Sequence, residues 1–434
     1  MEFAVSLLLL LSGVWITVRL RGVQLRRFTA SLAAPFLAEK HTRDGVSPFA
    51  AMSTSLAATL GTGNVAGVCG SILLGGPGTI FWMWVGAFFG MAVKYIEIFL
   101  ALSYRSARRP LSIGPMGYID NALPKKWHFL SRLYAGCAML AAIGMGNFVQ
   151  AGTIAESTEQ LLLSISPVLP PHWRFYLGVG MALLSGCVVL GGARRIGGAA
   201  SLLVPLMSVL YIGGCGAILI RNATRILPAI TSIFSSAFSF AAPSALGGTI
   251  GFLTVFRIGI TRGVFTHEAG LGTAALAHAL SNERSAEKQA LFGIFEVFLD
   301  TIVLCTFTAI TVLASGIALP YGDRSKNAAI ASEAFCSVFP PVLANGFLAV
   351  MLLLFAFSSI LSFCLYGSQC ATYLFGKRAT RPYQIIFLVC IVLGCTLQLS
   401  LIWKLSEVFN ALLALPNLLA LFLILRRQTL KNAA

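Results

Sequence analysis

The chain has 434 residues, 57% of them hydrophobic and 11% charged, with a formal charge of +16. Soluble proteins run at roughly 45–50% apolar and about 25% charged residues, so this composition excludes a soluble domain built around one core and indicates a chain dissolved in lipid. The basic surplus does not indicate a nucleic-acid partner, because Lys and Arg fall between apolar runs instead of gathering on one polar face.

A membrane-spanning helix needs about 20 apolar residues. The runs here are long and continuous, unlike the short alternating segments of a β-barrel. The pattern therefore predicts an all-α, polytopic membrane protein of eleven transmembrane helices, at residues 3–20, 47–73, 77–103, 128–158, 174–193, 197–220, 226–262, 290–315, 342–375, 383–402 and 406–425. The first run follows Glu2 instead of a basic stretch, lacks a small-residue cleavage site and is followed by Arg19, Arg21, Arg26 and Arg27, as in a retained helix. Alternate connections carry most of the Lys and Arg, among them Arg105, Lys125, Arg194, Arg284, Lys377 and Arg426. The positive-inside rule then places the N-terminus outside and the C-terminus in the cytoplasm. The segment 263–289, with His267, Glu268, His278 and Glu283, reads as too polar to span and as a cytoplasmic loop with short helices. The ten cysteines lie mostly inside apolar runs without metal-ligand spacing, as small buried hydrophobes do.

Two spans are interrupted. The second contains Leu60-Gly61-Thr62-Gly63-Asn64 near its middle, and the seventh contains Ser239 to Gly248 with Pro243. Glycine costs about 1 kcal/mol relative to alanine in a helix and proline more, and backbone freed at membrane depth is tolerated only in a cavity or inside protein. These spans are five apart. One reading is an inverted repeat of two five-helix halves, 47–220 and 226–425, each opening with a broken helix, preceded by an extra helix and loop at 1–46, all within a single integral membrane domain, 1–434. The other is two unrelated glycine-rich packing helices.

A broken helix offers an anion its free N–H groups and a cation its free carbonyls. The stretch Thr59, Gly61, Thr62, Gly63 and Asn64 supplies both, with hydroxyl and amide oxygens of the kind a hard cation prefers. Ser358 and Ser359 form a second oxygen cluster in span nine, either bonded back to their own helix or completing a cation site with span-two carbonyls. Gln150 shares a helix face with Asn147 and serves a substrate or a neighbouring helix equally well. Lys94, Glu97, Arg257, Glu296 and Asp300 are ionisable at membrane depth. Lys94 and Glu97 are spaced to pair, Arg257 to snorkel, and Glu296 and Asp300 to share a proton. Neither a zinc-like His spacing nor a nucleophile elbow is evident, so the chain reads as a transporter without cofactor or catalytic residues.

Ala57-Ala58-Thr59-Leu60-Gly61-Thr62-Gly63-Asn64-Val65-Ala66-Gly67-Val68 and Gly75-Gly76-Pro77-Gly78-Thr79-Ile80-Phe81-Trp82-Met83-Trp84 resemble the bacterial alanine or glycine:cation symporter family. So do Gly90 to Glu97, Gly144 to Ala151, Arg262 to Gly272 and Ala277-His278-Ala279, and the resemblance covers nearly the whole chain. It implies a leucine-transporter-like 5+5 fold with one extra N-terminal helix, in a monomer of the bacterial inner membrane. It also implies sodium as the coupling ion, with alanine or glycine as substrate. Carried over, Thr59, Gly61, Thr62, Gly63 and Asn64 contact the substrate, with Gln150 and Phe363, whereas Ala57, Leu60, Ser358 and Ser359 hold sodium. Ser358 and Ser359 stand where the family usually has threonines, Phe363 where it has a tryptophan, and His267 where it has an asparagine. The competing readings are proton coupling through Glu296 or Asp300, a passive pore, and a non-transporting sensor on the same fold.

Overall fold

The computed structural model describes residues 2–39, 45–106, 110–238, 242–243, 249–322, 327–397 and 399–427. The architecture is helical. The chain opens with α1 (Glu2–Arg19), α2 (Val23–Arg26) and α3 (Phe28–Leu37), then α4 (Pro48–Thr59), α5 (Ala66–Gly75), α6 (Gly78–Ser103) and α7 (Gly114–Ala122). Next come α8 (Phe129–Ile143), α9 (Val149–Ile165), α10 (Trp173–Val189), α11 (Gly192–Arg221) and α12 (Ala223–Ala237). A short antiparallel pair, β1 (Ala242–Pro243) and β2 (Thr249–Ile250), precedes α13 (Phe252–His267) and α14 (Thr273–His278). The last elements are α15 (Ala286–Val297), α16 (Thr306–Ala314), α17 (Asn327–Cys336), α18 (Pro341–Phe375), α19 (Thr380–Thr396) and α20 (Leu399–Arg427).

Among the described residues, seven helical segments are long and apolar enough to cross a membrane, or eight if α4 and α5 count as one span bent by 54°. Helices also occupy the expected spans 3–20 and 174–193, as α1 and α10. Leu183, Leu202 and Val209 face outward, as lipid-facing side chains do. The expected seventh span, 226–262, is not one helix: α12 stops at Ala237 and α13 starts at Phe252. The interruption expected at Ser239–Gly248 lies outside the described residues apart from Ala242 and Pro243.

Local chemistry sets the ends that matter. Ser47 caps α4 by accepting the Ala50 N–H at 3.1 Å, with Pro48 at the first helical position. Ser285 caps α15 in the same way, accepting the Lys288 N–H at 3.2 Å. Two spans carry π-helical turns, Gly144–Phe148 between α8 and α9 and Phe298–Cys305 between α15 and α16. Such turns widen a helix by one residue and gather at functional sites.

Two large apolar clusters make up most of the described interior, beside a small one of Val46, Ala50 and Ala51. Leu56, Ala57, Leu60 and Val65 belong to one, with residues of α11, α16 and α18; Ala58, Met145, Ala151, Ile360 and Phe363 belong to the other. Successive residues of α4 thus enter different clusters, and the end of α4 sits on the seam between them.

Candidate functional site

α4 ends at Thr59 because the following N–H groups turn to other partners. Gly61 N–H reaches the Thr59 carbonyl at 2.8 Å and Asn64 Oδ1 at 3.1 Å. Thr62 N–H and Thr62 Oγ1 both donate to Gln150 Oε1, at 3.3 and 3.2 Å. Gly61 and Thr62 would otherwise close the helix onto the carbonyls of Ala57 and Ala58, which are thereby released. A 3-10 turn, Thr62–Asn64, restarts the chain before α5. A Cβ on Gly61 would lie 3.0 Å from Ser359 Oγ and 3.2 Å from Gln150 Nε2, so any larger residue would crowd both side chains and push them back by a few tenths of an ångström.

The released carbonyls meet α18. Ser359 Oγ lies 2.9 Å from the Ala57 carbonyl, 3.3 Å from that of Ala58 and 3.0 Å from that of Phe355. A hydroxyl carries one proton, and the Phe355 carbonyl is also served by Ser358 Oγ at 2.9 Å, so the two released carbonyls of Ala57 and Ala58 share a single donor. Four oxygens converging with a deficit of donors is the donor set a hard cation prefers. Ser358 faces elsewhere, donating to the Phe355 carbonyl at 2.9 Å and to Met207 Sδ at 3.6 Å. Thr59 Oγ1 bonds back to the Leu56 carbonyl at 3.2 Å.

Asn64 joins the break to the second π-helical turn. Its Nδ2 donates to Asp300 Oδ1 at 2.6 Å, and its carbonyl accepts from Thr308 Oγ1 at 2.8 Å. Thr301 Oγ1 supplies a second bond to the Asp300 carboxylate at 2.8 Å. Gly63 packs on Phe265. Gln150 follows the first π-helical turn, where Phe363 lies against Gly146 so closely that a Cβ there would fall 2.0 Å from its ring. Phe363 is buried and meets Tyr366 edge-on at 5.6 Å. The structure therefore gathers Ala57, Gly61, Thr62, Asn64, Gln150 and Ser359 by direct bonds, leaves Ser358 turned away, and sets Phe363 beside the Gln150 helix.

A second interruption lies in the segment expected to be a cytoplasmic loop with short helices, 263–289: α14 is one short helix there, and His267, Glu268 and His278 are buried. The chain breaks between α13 and α14, where Glu268, Gly270 and Gly272 take φ of 55°, 92° and 75°. Its groups are held from several helices. Glu97 Oε1 accepts from Gly272 N–H at 3.0 Å and from Asn417 Nδ2 at 2.5 Å, and Asn417 Nδ2 also reaches the Gly270 carbonyl at 2.9 Å. Tyr134 Oη donates to the Leu271 carbonyl at 3.0 Å, and Thr273 Oγ1 to Glu268 Oε2 at 2.7 Å.

Two pairings read from spacing are also corrected. Lys94 pairs with Glu296 at 3.0 Å instead of Glu97, and Glu296 and Asp300 turn to separate partner sets because the π-helical turn starting at Phe298 changes the helical phase between them. Sequence reasoning missed the carbonyls of Ala58 and Phe355, which carry no side-chain signal, and Asn417, whose amide inside an apolar helix beside Pro416 was a usable one.

The sequence profile described as the sodium:alanine symporter family matches residues 1–432. The sodium/alanine symporter AgcS of Methanococcus maripaludis is 38% identical over 428 residues, covering 96% of this chain and 90% of the relative. An uncharacterized transporter of Haemophilus influenzae is 38% identical over 423 residues, with the same coverage, 96% and 90%. The crystal structure of MhsT in complex with L-phenylalanine superposes with a TM-score of 0.62 at 15% identity, over 87% of this chain and 89% of that one, so the two share a fold.

Proposed function

The chain belongs to the sodium:alanine symporter family and is a multi-pass membrane symporter of an amino acid with a cation, not an enzyme; from that premise we propose that it imports alanine or glycine with sodium across the bacterial inner membrane by alternating access. The observation that carries this reading is the donor deficit at Ser359: one hydroxyl proton faces the released carbonyls of Ala57 and Ala58. Sodium takes the place of that proton, and the Ser359 hydroxyl turns to present its lone pairs. The Leu60 carbonyl completes the shell by a small rotation, while Ser358 stays bonded to its own helix and Met207. The substrate carboxylate docks on the N–H groups of Gly61 and Thr62, displacing Gln150 Oε1, whose amide then holds the substrate. Asn64 and Gly63 shape this end of the site, Thr59 its wall, and Phe363 its floor.

The ion and substrate bind to the same few residues of one break, so each orders the backbone for the other, which is the differential affinity that coupling requires. The N-terminus lies outside and the C-terminus in the cytoplasm in this reading, on the basic-residue asymmetry of the sequence alone.

A second reading has its own observation. Asp300 bonds Asn64 and Thr301 but takes part in no ion pair among the described residues, so a proton on this carboxylate would communicate directly with the break. The deciding experiment is uptake of labelled alanine, glycine and serine into proteoliposomes under a sodium gradient or a pH gradient alone. Sodium-driven alanine or glycine uptake is expected. Uptake driven by the pH gradient and indifferent to sodium would transfer the coupling role to Asp300.

A further inference from the structure

Among the described residues, the buried charge with the most side-chain partners is not in the break. Glu296 on α15 is fully buried, and both of its oxygens are taken: His278 Nε2 lies 2.7 Å from Oε1, and Lys94 Nζ and Ser55 Oγ lie 3.0 and 2.7 Å from Oε2. Gln289 donates to His278 Nδ1 at 2.7 Å while accepting from Ser281 Oγ at 3.1 Å through its own oxygen. This fixes the amide orientation and leaves the imidazole proton on Nε2, aimed at Glu296. Lys94 also donates to the His267 carbonyl at 3.2 Å, so the ammonium and the carboxylate balance as one pair. The hub joins α4, α6, α14 and α15, with the end of α13.

A buried ion pair is costly to desolvate and is weak evidence of stability on its own; its best-attested use is to specify one arrangement over another. Here the arrangement specified is the position of α4. Ser55 lies on α4 just before Ala57 and Ala58, and its bond to Glu296 at 2.7 Å is shorter than the other side-chain tethers of that helix, at 2.9 and 3.3 Å from Ser359 to the Ala57 and Ala58 carbonyls and 3.5 Å from Tyr366 to the Thr54 carbonyl and from Gln289 to the Pro48 carbonyl. Ser55 stands two residues before Ala57 on the same helix, so the tether that fixes this turn of α4 also fixes where the Ala57 and Ala58 carbonyls lie.

We propose that Glu296 is a positioning residue for transport: charged by its pairing with Lys94 and oriented by His278, it holds α4 through Ser55 and so sets the Ala57 and Ala58 carbonyls against Ser359. Release of this tether is the step that lets α4 swing and the oxygen cluster disperse. The sodium readout of the test rests on the symport reading above, whereas its exchange readout does not.

The test uses Ser55→Ala, which cuts the tether but leaves the Lys94–Glu296–His278 charges balanced, with Ser55→Thr as the variant that keeps the hydroxyl. Hydrogen–deuterium exchange of the purified protein is measured over residues 48–59 and over α13 as an internal reference. Ser55→Ala is expected to raise exchange in 48–59 about tenfold, the worth of one hydrogen bond to a charged group, with α13 unchanged and Ser55→Thr restoring protection. In proteoliposomes the half-saturating sodium concentration rises with little change in maximal rate, since the tether acts on site assembly. Glu296→Gln, which removes the charge and turns one of the two acceptor oxygens into an amide donor that cannot accept from Ser55, Lys94 or His278, shifts both readouts in the same direction. Exchange over 48–59 indistinguishable from the parent in Ser55→Ala would overturn the proposal. Should the protein show no sodium-driven uptake at all, the symport reading fails and the exchange comparison alone decides this one.

Discussion

The two interrupted helices solve one problem with opposite chemistry. At the first break, Thr59–Asn64, the diverted N–H groups go to neutral acceptors, the Thr59 carbonyl, Asn64 Oδ1 and Gln150 Oε1, at 2.8 to 3.3 Å. At the second, Glu268–Gly272, they go to a carboxylate and a ring nitrogen, Glu97 Oε1 at 3.0 Å and His267 Nδ1 at 3.1 Å, and the freed carbonyls are taken by Asn417 and Tyr134. Hydrogen bonds to charged groups are worth roughly twice neutral ones. The backbone differs as well, since the second break needs three residues at positive φ and the first needs none. The first break is therefore easily re-partnered by a ligand, and the second is locked. A transporter needs both kinds, one to bind and release and one against which to move.

The largest expected effect tests whether the first break is the working one. Asn64→Ala removes the acceptor for Gly61 N–H and a donor to the buried Asp300 carboxylate. Two such losses, one to a charged group, are worth about 2–4 kcal/mol. Uptake at fixed substrate should fall about a hundredfold, while gel filtration of the purified variant stays monodisperse. Normal uptake would erase the distinction between the breaks. Next is the converse at the second break. Gly272→Ala puts a Cβ where φ is 75°, 2.6 Å from Pro115 and 2.9 Å from Tyr134 Oη. It should cost about 1–3 kcal/mol of stability, seen as a lower melting temperature, with uptake per folded molecule and its sodium dependence retained. A shift in sodium dependence without loss of stability would show that the second break also binds.

What the sequence revealed follows the same division. The first break was legible because Gly61-Thr62-Gly63-Asn64 interrupts an otherwise apolar run, and glycine in a membrane helix carries meaning without any partner being known. The second break was missed for the reason it is stable. His267, Glu268 and His278 read as solvated because a lone charged residue in lipid is costly, and the groups that compensate them here, Lys94, Glu296 and Thr273, stand on other helices or beyond the break. Lys94 and Glu97 sat at a spacing that favours a local pair, yet tertiary partners took both. The π-helical turns were invisible too, since a single added residue per turn leaves no compositional mark. The fold-level resemblance survived these local errors because it rests on long ordered motifs and not on any one pairing.

The smallest effect is the sharpest discriminator within the first break, because it separates two adjacent serines that sequence cannot rank. Ser359 faces the Ala57, Ala58 and Phe355 carbonyls, whereas Ser358 bonds its own helix and Met207. Successive residues on a helix are turned by about 100°, so only one of the pair aims at the released carbonyls. Ser359→Ala should raise the sodium concentration for half-maximal uptake about tenfold, the loss of one oxygen ligand being comparable to a hydrogen bond with a charged partner. Ser358→Ala should change it less than about twofold, since a hydroxyl bonded back to its own helix contributes little beyond that local bond. Sodium titrations of alanine uptake in proteoliposomes, run on both variants side by side, measure the ratio. Equal effects would mean that α18 rotates on binding to bring Ser358 inward, and the break would then be re-partnered on its α18 side as well as by its substrate.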